Sequence, residues 1–300
     1  GSGVGGLQHL RKRRRSWIRL VLSAAIFLAA LSPAAAEPPK KIVSLNLCTD
    51  QLLLSLADPD QIAGLSPYAR DPTLSWAAAE AARFPVMSGG AEDAMMLRPD
   101  LVVAGRFERR ATRELLARRG LTVADFDIVR SIDEAKAQIA RMGAIVGHPE
   151  RAEARIAAID AAVARLRAVA TRKGLRVLAV SRRGWIPGAD SLTSSLLATA
   201  GLINAASEMG IATGGFATLE QIVATKPDLV LVASALTTAE DQGQAFLLHP
   251  ALQRLYPPEK RIVIPEMLTV CGGPMLAEGL DRLAGALGRS APDQGSHIAP

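Results

Sequence analysis

Cysteine is scarce: the chain of 300 residues holds two, Cys48 and Cys271. Two cysteines cannot staple a small coreless domain, which excludes a disulfide scaffold. One long-range bridge remains open. So does burial as small side chains, or contact with a ligand. Histidine is nearly as rare, with four in the chain. His9 and His297 fall in the terminal segments. His148 and His249 each precede a proline at an expected helix start, which suits a turn role. No histidine has a second His, Cys or carboxylate at ligand spacing, so no zinc site is expected. There is no Walker loop and no G-x-S-x-G. Gly214-Gly215 and Gly272-Gly273 read as turns. Without an arguable nucleophile–base pair, the expectation is a binder with no resident cofactor rather than an enzyme.

Acidic residues are absent before Glu37, where the basic ones are Arg11, Lys12, Arg13, Arg14, Arg15 and Arg19. Setting those six aside from the 35 Lys and Arg leaves 29, matched by 29 Asp and Glu, so the net charge of +6 comes from this segment alone. The basic charge is therefore no evidence for nucleic-acid binding, which needs a basic face on the folded domain. The basic run, the apolar stretch Leu20 to Leu31 and Ala34-Ala35-Ala36 have the form of a cleavable export signal. The apolar stretch is short for a membrane span. Arg14-Arg15-Ser16-Trp17-Ile18 loosely resembles a twin-arginine signal. Cys48 follows Leu47, well beyond the apolar stretch, and is not placed as a lipoprotein cysteine. We expect residues 1–36 to be removed on export to the periplasm, with no stable membrane insertion afterwards. Residues 289–300 are expected to be a loose tail.

What the chain does contain is a repeat. Glu92 to Val103 reads Glu-Asp-Ala-Met-Met-Leu-Arg-Pro-Asp-Leu-Val-Val, and Glu220 to Leu231 reads Glu-Gln-Ile-Val-Ala-Thr-Lys-Pro-Asp-Leu-Val-Leu. In each, a short amphipathic helix runs into Pro-Asp, which stops it, and a buried strand follows. Leu121 to Phe126 and its helix are echoed by Arg261 to Ile264 and Met275 to Leu287. Strands and helices alternate throughout, which implies α/β architecture with mainly parallel sheets. Further strands are expected at Lys41 to Leu45, Gln61 to Leu65 and Leu175 to Val180. Helices are expected at Gln51 to Leu56, capped by Thr49 or Asp50, and at Trp76 to Arg83. A long helix from Glu150 to about Arg172, apolar at Ile156, Ile159, Val163, Leu166 and Val169, reads as a stiff connector between two Rossmann-like lobes. The expected division is residues 37–147, the connector 148–173, and residues 174–288.

Ligands on parallel sheets lie beyond the carboxyl ends of the strands. The loops there hold most of the unusual residues. Aromatics make up only 4% of the chain, so Tyr68, Phe107, Trp185 and Phe216 stand out. They are either core residues or the lining for a large flat ligand. Arg70, Arg106, Arg182 and Arg183 beside them could meet acidic groups of that ligand. Asn46, Cys48, Met267 and Cys271 share the same kind of loop and complete the candidate ligand-binding set. Glu92 and Glu220 could be plain solvated charges in a helix's first turn. At equivalent repeat positions they instead suit gripping paired arginines on a two-fold partner.

These features together resemble the periplasmic substrate-binding proteins of ABC importers for cobalamin, ferric siderophores and haem. The resemblance runs from about Lys41 to Leu287. It rests on Ile42-Val-Ser-Leu45, Ile62-Ala-Gly-Leu-Ser-Pro-Tyr68, both helices ending in Pro-Asp-Leu-Val, and the connecting helix. It implies a class III periplasmic binding protein: two lobes bridged by one long helix, limited hinge motion, and ligand held between the lobes. It further implies that Glu92 and Glu220 dock on the permease dimer and that Tyr68 is a ligand-facing tyrosine. The implied cargo is a metal chelate carried by a monomeric protein, cobalamin or a corrinoid-like compound first, then a ferric siderophore or haem. The Asn46-Leu-Cys-Thr turn departs from the family pattern. From another class, an exported redox protein using Cys48 and Cys271 is the competing expectation.

Overall fold

The computed structural model describes residues 36–234 and 242–289. The expected signal before residue 36 and nearly all of the expected tail lie outside the described residues. Along the chain run β1 (Ile42–Ser44), α1 (Leu47–Leu56), β2 (Ile62–Gly64), α2 (Ala78–Ala81), α3 (Ala91–Met96), β3 (Leu101–Gly105), α4 (Arg110–Arg118) and β4 (Val123–Phe126). Next come α5 (Ile132–Val146) and α6 (Pro149–Val169). The second half holds β5 (Arg176–Ala179), β6 (Trp185–Ile186), α7 (Leu192–Thr199), β7 (Ile203–Asn204), β8 (Gly215–Phe216), α8 (Leu219–Thr225), β9 (Leu229–Val232), α9 (Gln242–Ala245), α10 (Pro250–Leu255), β10 (Arg261–Val263) and α11 (Leu276–Arg289).

The strands form two four-stranded parallel sheets, ordered β2-β1-β3-β4 and β10-β9-β5-β7. Read from its other edge, the second sheet is β7-β5-β9-β10. Both then place their second strand at one edge, the first beside it, and the third and fourth beyond. The repeat seen in the sequence is therefore a repeat of topology. The central strands β1, β3, β5 and β9 are mostly aliphatic and buried on both faces, as parallel strands covered by helices require.

Several boundaries differ from expectation for local reasons. α1 begins at Leu47, not Gln51, because the Asn46 side chain accepts the N–H groups of Cys48 and Thr49 and so caps the helix earlier. The expected caps are used otherwise: Thr49 shares a hydrogen bond with Ser44, and Asp50 is buried. The helix expected over Trp76 to Arg83 contracts to the single turn of α2. The expected loops at Trp185 and Phe216 pair as an antiparallel hairpin, β6 with β8.

α6, the expected connector, packs between α5 and α11. Ala152, Ile159, Ala162 and Leu166 are buried at helical spacing. They belong to one apolar core that runs from Ile42 and Leu53 to Val177, Leu196 and Leu280. Lys136–Asp160 at 2.7 Å ties α6 to α5, and Arg165–Asp281 at 2.9 Å ties it to α11. At its start, His148 Nε2 meets Asp58 at 2.9 Å and Nδ1 meets Glu150 at 3.0 Å. Arg151 also pairs with Asp58 at 2.8 Å and donates to the Leu56 carbonyl. The Asp58 and Glu150 hydrogen bonds raise the His148 pKa, and the hydrogen bonds from His148 and Arg151 lower that of Asp58.

Candidate ligand-binding site

The loops at the carboxyl ends of β2, β3 and β5 each carry one of the singled-out aromatics. β8, paired with the segment after β5, carries the fourth. Tyr68 is 48% exposed, Phe107 70%, Trp185 39% and Phe216 67%. In a chain this poor in aromatics, four so exposed argue against a core role and for contact with something outside the fold.

Trp185 and Phe216 are brought together. They face each other across the β6–β8 pair with ring centroids 5.1 Å apart at 71°, an edge-to-face contact. Gly214 makes room for them. Its φ is +126°, and a Cβ there would lie 2.5 Å from the Trp185 ring. Arg182 and Arg183, in the turn before Trp185, are exposed.

Tyr68 is held by a relay that starts in α1. Asp50 is fully buried, and its carboxylate accepts the Ser66 hydroxyl at 2.5 Å and the Ser66 N–H at 3.0 Å. The same hydroxyl accepts the Tyr68 N–H at 3.3 Å. Burial pushes the Asp50 pKa up to about 6, against the lowering effect of its hydrogen bonds to Ser66 and Ser44.

The remaining expected site residues divide. Asn46 is nearly buried, and beyond its capping bonds its amide donates to Glu108 at 2.6 Å. Arg106 pairs with Asp127 at 3.0 Å. Arg70 spends its guanidinium on the carbonyls of Ala81, Ala82 and Phe84. Met267 is half-buried and packs on the core. Cys48 and Cys271 are bonded to each other, so neither offers a thiol to a ligand or a metal. The pairing also takes away the free thiol that a cysteine-dependent redox protein would use in this state.

The structure adds residues that sequence reasoning missed. Phe107 opens onto a groove of about 420 Å³ lined also by Asp127, exposed Ile128, Arg130, Glu134, Ala137 and Gln138. The signal was available, because Ile128 follows β4 just as Phe107 follows β3. Glu92 and Glu220 occupy the second position of α3 and α8, both exposed. Glu92 borders a surface recess of about 390 Å³ with Ser88, Gly90, Asp93, Ala111, Thr112 and Leu115 among its neighbours. Among the described residues no group of three or more His, Cys, Asp or Glu could hold a bare metal ion. No helix among them is long and apolar enough to cross a membrane.

Among known proteins, the cobalamin-binding protein of Halobacterium salinarum strain R1 is 29% identical over 232 residues, covering 72% of this chain and 60% of that protein. The chain thus spans about 60% of the length of this curated relative. The haem-binding protein RhuT from Roseiflexus sp. RS-1, solved in apo form, superposes with a TM-score of 0.68 at 23% identity, covering 84% of this chain and 98% of that one. A periplasmic haem-binding protein from Pseudomonas aeruginosa gives a TM-score of 0.67 at 21% identity, covering 84% and 94%. These structural likenesses establish the class III periplasmic binding protein fold. The family model for periplasmic binding proteins matches residues 42–257, and the chain belongs to that family of binding proteins, which are not enzymes.

Proposed function

We propose that this protein is the periplasmic component of an ABC importer and that its cargo is a metal chelate, a corrinoid such as cobalamin. The exposed Trp185–Phe216 pair carries the reading. Two rings set edge to face, with Tyr68 and Phe107 exposed on the other sheet's loops, suit a broad ligand with apolar edges. The described residues lack a cluster able to seize a bare ion, so a metal cargo arrives with its own ligands. Cobalamin meets that condition, since its cobalt is already coordinated. The similarity to a cobalamin-binding relative points the same way.

A ferric siderophore or haem is the alternative cargo. A bound haem would draw on Tyr68, the exposed one of the chain's two tyrosines, as an axial ligand. In this reading residues 1–36 direct export and are removed, the mature protein acts as a monomer, and Glu92 and Glu220 meet the permease. Residues 37–147 and 174–288 then act as the two lobes around the 148–173 connector.

Equilibrium titration of the purified protein against cyanocobalamin, a ferric hydroxamate, a ferric catecholate and haem tests the proposal. Stoichiometric binding of cyanocobalamin without turnover is the expected result. Binding of haem or a ferric siderophore in its place would reassign the cargo. Failure of all four would overturn the metal-chelate reading.

A further inference from the structure

The polypeptide passes from the first sheet to the second once, through α6. A second covalent link joins the halves. Cys48, in the first turn of α1 behind β1, is bonded to Cys271, behind β10, across 223 residues of sequence. Cys271 is buried in the core shared by both sheets. The segment after it lies close against the first half: a Cβ on Gly272 would fall 2.2 Å from Val129, and one on Gly273 would touch Leu52 at 3.8 Å.

Non-covalent contacts flank the bridge. On the β2 side, the Trp76 indole N–H donates to Glu278 of α11 at 2.9 Å. On the β4 side, the Ile132 N–H donates to the Ser195 hydroxyl at 3.2 Å, and Arg130 faces Asp190 at 3.6 Å. The latter pair is half in solvent, where an ion pair contributes little. Single hydrogen bonds of this kind are modest in net strength and open readily.

We infer that the Cys48–Cys271 bridge is an interlobe staple that confines relative movement of the two sheets to rocking about the line through the bridge and α6. Joined covalently through α6 alone, the halves are held otherwise by the shared core and the flanking contacts, which leave room for twist and splay. Joined at two places, they keep only rotation about the connecting line. The flanking contacts then break on one side while they hold on the other. This rests on the two-sheet fold and on the binding-protein reading, but not on which cargo is carried.

Reduction removes the constraint. A dithiol such as dithiothreitol transfers two electrons to the bridge and leaves as its own cyclic disulfide, yielding thiols at Cys48 and Cys271. Hydrogen exchange of the unliganded full chain tests the inference in three forms: bridged, reduced, and the Cys48→Ser/Cys271→Ser double variant. Thiol titration verifies each state. Faster exchange at the Ile132 amide in the reduced and double-variant forms, with β1, β3, β5 and β9 as protected as in the bridged form, is the expected result. X-ray scattering should show a larger radius of gyration in the same two forms. Unchanged exchange and unchanged radius with both thiols free would overturn it. So would equal loss of protection in all the strands, which would make the bridge a support of global stability only. No ligand is present, so failure here is separate from failure of the cargo assignment.

Discussion

Asp100 and Asp228 perform the same act on the two sheets. Asp100 accepts the Lys40 N–H at 2.7 Å and the Lys41 N–H at 2.9 Å, at the entry to β1. Asp228 accepts the Arg176 N–H at 2.8 Å, at the entry to β5. Each returns its own N–H to the same neighbouring backbone, Asp100 to the Lys41 carbonyl and Asp228 to that of Arg176. Two residues earlier, Arg98 and Lys226 turn the chain out of its helix through the left-handed region, with φ of 49° and 47°. The repeated Pro-Asp is therefore a splice between a helix end and two neighbouring strands.

Asp100→Ala and Asp228→Ala should each destabilise the fold by about 1–3 kcal/mol, the scale of hydrogen bonds to a charged group. Glu92→Ala and Glu220→Ala, in the same motif but exposed and facing outward, should stay within about 0.5 kcal/mol of the parent. Urea unfolding of the four variants separates the two roles. Equal losses in all four would refute the division.

That division was half legible in the sequence. The constant offset from glutamate to Pro-Asp exposed the repeat, and a buried apolar run after Pro-Asp marked β3 and β9, because parallel strands bury both faces. The bridging role of Asp100 was not legible, since its partners lie 59 and 60 residues away. The same holds for Cys48 and Cys271, whose proximity is a product of tertiary packing. β6, β7 and β8 escaped because two-residue strands carry no periodicity. Asn46 was a candidate ligand contact, yet it caps α1. An Asn before Leu-Cys-Thr fits either role until the Glu108 contact is seen. Arg70 stood beside Tyr68 in sequence, but carbonyls at the end of α2 and just beyond it claim its guanidinium.

The cluster at the start of α6 sets a pH dependence. His148 has a folded pKa raised by Asp58 and Glu150. Its contribution is fully present below the ordinary histidine value of about 6.5 and is lost as pH rises through the raised value. Asp58, whose pKa is lowered, contributes above the ordinary aspartate value and loses that contribution only as pH falls through its folded value. His148→Ala should therefore cost stability at pH 5.5 and little at pH 9. Thermal melts at the two values check this, and an equal cost at both would contradict it.

The exposed aromatic pair should matter for binding and not for folding. Trp185→Ala and Phe216→Ala are each expected to weaken chelate binding about tenfold, which is ~1.4 kcal/mol and in line with aromatic contacts of this geometry. Melting temperatures should barely move, since both rings are exposed. Gly214→Ala should mimic the loss by displacing the Trp185 ring. Calorimetric titration of the three variants provides the measurement. Undiminished affinity would place the cargo elsewhere.

Glu92 and Glu220 should act after capture. Each sits in the first turn of its helix, exposed, one per sheet. Reversing both to Lys should abolish uptake by cells that depend on this protein while cargo affinity is unchanged. Single reversals should leave partial uptake, because a two-fold permease keeps one of two ion pairs. A double reversal that weakens affinity would remove the docking role.

The buried Asp50 offers the clearest titration. Its pKa of about 6 in the fold exceeds the ordinary aspartate value of 3.8, and burial is the dominant cause. An acid raised in this way contributes fully below the unfolded value and loses the contribution as pH rises through about 6. The difference in pKa corresponds to about 3 kcal/mol between acidic and neutral solution. Asp50→Asn removes the ionisation, keeps an acceptor for the Ser66 N–H and offers an amide N–H to the Ser66 hydroxyl. The variant should therefore match the parent near pH 4 and exceed it in stability by up to about 3 kcal/mol at pH 8. Denaturant unfolding at a series of pH values gives the difference curve, which should rise between the ordinary value of 3.8 and about 6 and level off above that. This window lies below the one set by His148, so the two effects separate along a single pH series. A flat difference curve would mean that the Asp50 pKa is the same in the folded and unfolded chain, its burial offset by the hydrogen bonds to Ser66 and Ser44.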